Sequence, residues 1–252
     1  MIIRLENISK SFPVEQNMFT ASPLQTPVLS NINLTIPEYQ TTGLVGESGS
    51  GKTTLAKIML KLITPTSGTV TYGPRINTIR KDVQIVFQNP YNSLNPRMII
   101  KDVLFEPLII HKIVPPHSRL QRATELLEMV GLDKSALTRL PKEFSGGQRQ
   151  RIAIARALAC QPLLVILDEP ISSLDLTVQA QMLQLFSDLK KRLNLTYVFI
   201  SHNLAVIKYI ADSVVILHDG RIVENARKET IFNNPGNSYT KELLEAAKVK
   251  TK

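Results

Sequence analysis

Residues 46–54 read Gly-Glu-Ser-Gly-Ser-Gly-Lys-Thr-Thr, and they constrain the fold more than any other stretch of the chain. The run fits G-x-x-x-x-G-K-[ST], a loop whose backbone N–H groups wrap a phosphate chain. Gly46, Gly49 and Gly51 permit tight turns and close approach of the backbone to a bulky anion. Lys52 adds a point charge for the outer phosphates, and the Thr53 hydroxyl suits a magnesium ion. The flanks supply the context the loop requires. Thr41 to Val45 (TTGLV) predicts a short buried strand, and Leu55 to Ile63 carries helical spacing at Ala56, Met59, Leu60 and Ile63. A helix starting there aims its positive dipole end at the anion. The plain alternative, a Gly/Ser loop that happens to hold a lysine, does not explain those flanks. Alone, the loop indicates a nucleoside triphosphate and little more.

The chain of 252 residues is one large domain or two small ones, and its 43% apolar and 20% charged residues are ordinary for a globular protein. No stretch approaches the roughly 20 apolar residues of a membrane-spanning helix, and the first residues lack a secretory signal. Cys160 is the only cysteine, which excludes a disulfide framework, zinc cluster or iron–sulfur cluster built within one chain and makes the cytosol the expected compartment. The net charge of +9 fits a nucleic-acid or anionic-membrane partner, or simply a basic surface. Basic residues are spread along the chain, with one small cluster at Lys248, Lys250 and Lys252, which favours the basic surface, with a membrane-proximal face second.

Residues 1–8 and 28–36 read as strands, separated by an exposed Pro-containing loop from Pro13 to Pro27. Pro65 and Gly68 end the phosphate-loop helix, and Thr69 to Tyr72 starts another strand. Val83 to Phe87 is a compact buried strand with Gln88 at its C-terminal end, where ligands of open α/β sheets bind. An Asn/Pro-rich loop from Asn89 to Pro96 opens a mainly helical region. Its clearest helix is Ser118 to Val130, with Leu120, Ala123, Leu127 and Val130 on one face, Ser118 as N-cap and Gly131 past its end. Strands resume at Leu163–Leu167, Thr196–Ile200 and Ser213–Leu217. Between the first two lies a helix from Thr177 to Leu193, with Val178, Met182, Leu185, Leu189 and Leu193 inward. Alternating strands and helices predict an α/β fold with a mostly parallel sheet.

Three constellations carry chemistry. LLVILDE (163–169) is an apolar strand ending in two carboxylates that point oppositely and so take different roles: Asp168 for magnesium through a water, Glu169 to polarise an attacking water. Ser145 to Gln148 (SGGQ) opens the helix RQRIAIARALA, which packs through Ile152, Ala155 and Ala159, and its N-terminus is a second anion site or merely a capped turn. His202 follows the strand Thr196–Ile200, where a neutral imidazole can bond a γ-phosphate or the water. His111, His117 and His218 have no such support and read as structural or exposed. Phe12 stacks on an adenine ring or packs in the core, and the sequence does not choose.

The order of these pieces resembles the nucleotide-binding subunit of ABC transporters: GESGSGKT, Gln88 in VFQNP, FSGGQRQR, LLVILDEP, SSLD and the histidine of ISHN span about residues 12–202. The resemblance implies a nucleotide-binding domain over residues 1–252. It comprises a core with an N-terminal antiparallel β-subdomain (1–88 and 159–225), an inserted helical subdomain (89–158) and a short tail (226–252). It implies that ATP is held by Gly46, Glu47, Ser48, Gly49, Ser50, Gly51, Lys52, Thr53 and Thr54, with Phe12 as the adenine-stacking aromatic. Thr53, Gln88 and Asp168 would serve Mg2+, Glu169 would be the catalytic base, His202 the γ-phosphate switch, and Asp175 part of a loop communicating across a dimer. In this family two subunits pair head to tail, so Ser145, Gly146, Gly147 and Gln148 would serve the partner's nucleotide. The phosphate loop is then half of a site, and a monomer should be a poor ATPase.

NPYNSLNPRM after Gln88, FSGGQRQRIAIARAL, and NPGNSYTKELLEA near the end are similar to the peptide/nickel importer branch. That branch implies permease subunits, a second ABC ATPase subunit, an extracytoplasmic substrate-binding protein acting indirectly, and a place on the cytoplasmic face of a bacterial cell membrane. The chain departs from the pattern at Phe144 (commonly Leu), at Asn203 (commonly Asp) and at NSYT (commonly HPYT), and the segment after Gly68 is short. The alternative is a soluble ABC-type ATPase acting on nucleic acid or ribosomes. Such proteins typically carry long coiled-coil insertions or tandem cassettes, absent from this sequence, so no nucleic-acid partner is expected. Intact Lys52, Glu169 and His202 argue against a non-hydrolysing regulatory subunit.

Overall fold

The strand, loop and helix expected around residues 46–54 are present in a computed structural model that describes residues 1–13, 25–88 and 94–249. In chain order the strands are β1 (Ile3–Pro13), β2 (Gln25–Ile36), β3 (Thr41–Val45), β4 (Ser67–Tyr72), β5 (Val83–Val86), β6 (Leu164–Asp168), β7 (Thr196–Ile200), β8 (Ser213–His218) and β9 (Arg221–Arg227). The helices are α1 (Lys52–Met59), α2 (Ile79–Asp82), α3 (Ile100–Ile110), α4 (Arg119–Met129), α5 (Gly146–Ala159), α6 (Leu176–Leu193), α7 (Leu204–Ile210), α8 (Lys228–Asn233) and α9 (Ser238–Val249). The chain divides into two units, Met1–Ile76 with Val198–Lys252, and Asn77–Tyr197. The loops expected at Pro13–Pro27 and Asn89–Pro96 lie partly, and Lys250 and Lys252 wholly, outside the described residues.

In the first unit β1, β2 and β4 form an antiparallel sheet in the order β2-β1-β4. Alternation decides its register: Ile3 faces Ile36, Leu5 faces Leu34 and Ile8 faces Ile32, all buried. β3 is buried at all five positions and runs parallel to β8, with Val45 level with Ile216. Helix α7 packs so closely on β3 that a Cβ on Gly43 would meet Ile207 Cγ2 at 2.8 Å. β8 and β9 form a hairpin turned by Asp219 and Gly220, at φ 45° and 70°. Asp-Gly with both φ positive gives the turn whose twist suits paired strands. Helix α1 stops at Met59, four residues short of Ile63. Lys61 takes φ 51°, Leu62 N–H bonds Lys57 C=O and Lys61 N–H bonds Ile58 C=O, a left-handed helix end formed without glycine.

In the second unit β5 and β6 pair in parallel from Val83↔Leu164 to Val86↔Leu167. Helices α3, α4 and α5 pack on one another, and Ile152, Ala155 and Ala159 of α5 are fully buried as expected. Expectations on two helices need correction. Ser118 occupies the N-cap position of α4, but it lies in a 3-10 turn begun by Pro116, at φ −94° and ψ −4°, and its side chain makes no cap bond. Leu120, in the first turn, is 55% exposed, and Leu126 joins Ala123, Leu127 and Val130 in the core instead. On α6 the fully buried stripe is Met182, Phe186 and Leu189, while Val178, Leu185 and Leu193 are only half-buried. Phe186 meets Tyr197 edge-to-face at 6.2 Å, and that aromatic contact draws the helix round. Strand β7 carries the chain from this unit into the other. Thr196 N–H bonds Leu163 C=O within the second, and Ser201 N–H bonds Leu44 C=O within the first.

Candidate active site

The phosphate loop leaves β3 at Gly46. A Cβ there would lie 2.1 Å from the Leu217 carbonyl oxygen and 2.7 Å from Ser50 Oγ, so only glycine fits. Gly49 and Gly51 hold φ of 84° and 102°, the left-handed region that side chains resist. Ser50 N–H closes the turn on Glu47 C=O at 3.2 Å, and Leu55 N–H begins the helix ladder on Gly51 C=O at 2.9 Å. Helix α1 has no side-chain cap and no acid in its first turn, so its dipole there is not offset by a carboxylate of that turn. Lys52 is only 6% exposed, and its ammonium folds onto the loop. Nζ donates to Gly46 C=O at 2.8 Å, to Glu47 C=O at 2.7 Å and, longer, to Ser50 Oγ at 3.5 Å. Thr53 is exposed and Thr54 half-buried at the start of the same helix, with Glu47, Ser48 and Gly49 exposed along the rim. A cation buried inside a glycine cradle suits a polyanion.

His202 is exposed and pinned on both sides. Before it, Ser201 is buried and its Oγ accepts the Asn203 N–H at 3.0 Å. After it, the Asn203 carboxamide oxygen caps α7 through the N–H groups of Ala205 and Val206. Asparagine therefore performs the helix-capping task that aspartate would perform there. Phe12, next to last in β1, is 38% exposed, with the Lys10 ammonium 5.0 Å from its ring centroid. Of the two readings left open, this ring is on the surface.

In the second unit the apolar run of β6 buries itself and delivers Asp168, 6% exposed, and Glu169 at its end. Glu169 adopts φ 48°, a strained value for a side-chain-bearing residue. Its carbonyl accepts from Ser172 N–H and Ser172 Oγ, which holds the strand-to-turn corner. Its carboxylate Oε2 accepts from Gln88 Nε2 at 3.3 Å, and the same amide reaches Ser172 Oγ at 3.3 Å. The strand register explains the meeting, since Gln88 and Glu169 each lie two residues beyond the paired Val86 and Leu167. Ser172 was not singled out from sequence; its place in SSLD was the available signal.

Ser145 to Gln148 forms a capping box: Ser145 Oγ accepts from Gln148 N–H at 3.3 Å, and Gln148 Oε1 accepts from Ser145 N–H at 3.0 Å. Arg149 braces the approach through Pro141 C=O and Lys142 C=O. A Cβ on Gly147 would meet Val178 Cγ1 at 2.8 Å, whereas Gly146 has room. Asp175 N-caps α6, accepting from Val178 N–H at 2.9 Å. The SGGQ turn and the start of α6 are thus packed together.

Among the described residues no group of three or more His, Cys, Asp or Glu could hold a metal ion by itself. Magnesium is commonly held by one or two carboxylates plus substrate phosphates. Thr53, Gln88 and Asp168 are oxygen donors of the right kind. Cys160 is buried, and burial pushes its thiol up to about 11 against the opposing pull of Arg156 and Lys81.

The profile of the ABC transporter family matches residues 29–172. The chain belongs to that family and is an ABC-type ATPase, with an antiparallel sheet beside parallel α/β pairing. The oligopeptide transport ATP-binding protein AppF of Bacillus subtilis is 39% identical over 261 residues, covering 100% of this chain and 79% of that protein. The dipeptide transport ATP-binding protein DppF of Escherichia coli is 42% identical over 254 residues, covering 97% and 76%. A dimeric ATP-binding cassette in a post-hydrolysis state, bound to ADP and Pi, superposes at TM-score 0.76 with 28% identity, covering 90% of this chain and 99% of that one. CbiO1 from Clostridium perfringens, part of a cbiONQ transporter complex, shares the fold at TM-score 0.77 and 24% identity, covering 99% and 95%. No helix among the described residues is long and apolar enough to cross a membrane.

Proposed function

We propose that this chain is the ATP-hydrolysing subunit of a membrane importer for peptides or nickel complexes. It works head to tail with a second ABC ATPase, identical or homologous, on permease subunits supplied by an extracytoplasmic binding protein. The relatives in oligopeptide and dipeptide transport support the substrate class. They support transport over action on nucleic acid or ribosomes. The observation that carries the hydrolytic reading is the Glu169 carboxylate held by Gln88 at the end of β6.

Lys52 and the loop Gly46–Thr54 bind the phosphates, and Phe12 stacks on the adenine. Glu169 takes the proton of the attacking water, Gln88 and Ser172 hold the carboxylate's corner, and His202 bonds the γ-phosphate. Thr53, Gln88 and Asp168 would hold Mg2+, which would supply positive charge to the phosphates when bound. Ser145 to Gln148 serves the partner's nucleotide, and Asp175 communicates across the pair. Catalysis is then positioning plus charge stabilisation, as in phosphoryl transfer generally. The whole of 1–252 acts as one nucleotide-binding domain, with 89–158 as its helical subdomain and 226–252 as its tail, on the cytoplasmic face of a bacterial membrane.

Mild detergent extraction of cells expressing the tagged chain tests this. Copurification with polytopic membrane subunits and a second ATPase is expected. Copurification with nucleic acid or ribosomes instead would overturn it.

A further inference from the structure

The segment Asn237-Ser238-Tyr239-Thr240 lies far from the phosphate loop in sequence, yet the structure brings the two together. Glu224 of β9 accepts Gly236 N–H at 2.8 Å and Asn237 N–H at 3.3 Å. Asn237 returns a bond to Val223 C=O and accepts Tyr239 N–H at 2.9 Å, so the start of α9 is tied to the β8–β9 hairpin. That tie lays the Tyr239 ring on His218, with centroids 3.7 Å apart and planes 26° apart. His218 follows Leu217, whose carbonyl backs Gly46. The Tyr239 hydroxyl is buried without a partner in hydrogen-bond geometry. Beside it lie the carboxylate and backbone N–H of Glu47. Glu47 is the loop residue whose carbonyl receives both Ser50 N–H and the Lys52 ammonium.

A hydroxyl enclosed beside Glu47 but out of line with it forgoes part of a hydrogen bond's free energy, and a loop movement that aligned the two would recover it. We propose that Tyr239 is a positioning residue for ATP: its hydroxyl hydrogen-bonds Glu47 when the loop closes on phosphate, and so couples the C-terminal helix to nucleotide affinity. The proposal rests on the reading of Gly46–Thr54 as the ATP loop. Tyr239 touches no substrate; it acts through Glu47. Burial, with the Glu47 carboxylate beside it, raises the phenol's proton affinity, which keeps the hydroxyl a donor at neutral pH.

Tyr239→Phe keeps the stacked ring and removes only the hydroxyl, so a structural role and a positioning role give opposite signs. The full chain is titrated with Mg-ATP, and its melting temperature is measured without nucleotide. The expected result is ATP affinity weaker by about threefold to tenfold, the factor one net hydrogen bond carries, with a melting temperature equal to or above the parent's. In the Glu47→Ala background, Tyr239→Phe should have no further effect on affinity. In the assembled ATPase, KM should rise with kcat unchanged. Parent-like affinity, a lowered melting temperature that accounts for the loss, or additive effects with Glu47→Ala would each overturn the proposal. Lys52→Ala is the control. If it loses ATP while Tyr239→Phe does not, only the Tyr239 proposal fails; if Lys52→Ala also binds ATP normally, the loop reading fails with it.

Discussion

Gln88 and Glu169, 81 residues apart in the chain, meet at 3.3 Å through amide nitrogen and carboxylate oxygen. Parallel pairing of β5 with β6 places both just beyond matched strand ends, and Ser172 locks the corner from below. The amide fixes the direction of the carboxylate, which suits a base that must meet a water held in one place. The positive φ of Glu169 is the local cost of aiming it.

Lys52→Ala removes an ammonium that bonds the carbonyls of Gly46 and Glu47 and is assigned to the outer phosphates. ATP affinity should fall by at least roughly tenfold, the scale of a charge-assisted bond. Equilibrium titration with Mg-ATP measures it, and unchanged affinity would count against the phosphate-loop reading.

Gly46→Ala and Gly49→Ala separate steric from conformational need. The first drives a methyl to 2.1 Å from a backbone oxygen; the second has open space but a φ of 84°. Overpacking of the first kind should cost about 1–3 kcal/mol and abolish ATP binding. The second should cost about 1–2 kcal/mol of left-handed strain. Urea unfolding and nucleotide titration of both variants check the order.

Asp175 is both the N-cap of α6 and the residue assigned to communication across a dimer. Asp175→Ala should destabilise the fold by about 1 kcal/mol, while Asp175→Asn keeps the cap. Full stability in Asp175→Asn with reduced turnover of the assembled pair is the outcome expected of a communicating role.

Cys160 supplies a pH dependence of defined sign. Burial raises its folded value to about 11 from an ordinary 9.0, with Arg156 and Lys81 opposing. Between those values the folded thiol holds its proton and the unfolded one does not. Its contribution is therefore complete below pH 9 and lost as pH rises through the folded value. Unfolding titrations from pH 8.5 to 10.5 should show a steeper loss of stability for the parent than for Cys160→Ala.

Strands β3 and β7 were legible to the residue, because an apolar run bounded by glycine or polar residues has little freedom in where it starts and stops. The phosphate loop was legible because its chemistry is local: three glycines, a lysine and the helix they open. What escaped depends on backbone geometry or on partners elsewhere in the chain. Lys61 ends α1 early through backbone bonds that periodicity does not report, and Leu120 has the right spacing but lacks a neighbour. Phe186 is drawn inward by Tyr197, Ser172 acquires its role from Gln88, and Tyr239 acquires its place from Glu224 and His218.

The most direct test of the central claim is phosphate release by the Glu169→Gln variant in the assembled complex, read beside its ATP binding. The account predicts parent-like ATP affinity, turnover lower by roughly 100-fold or more, and an ATP-trapped closed pair on size exclusion. Turnover at the parent's rate would contradict it.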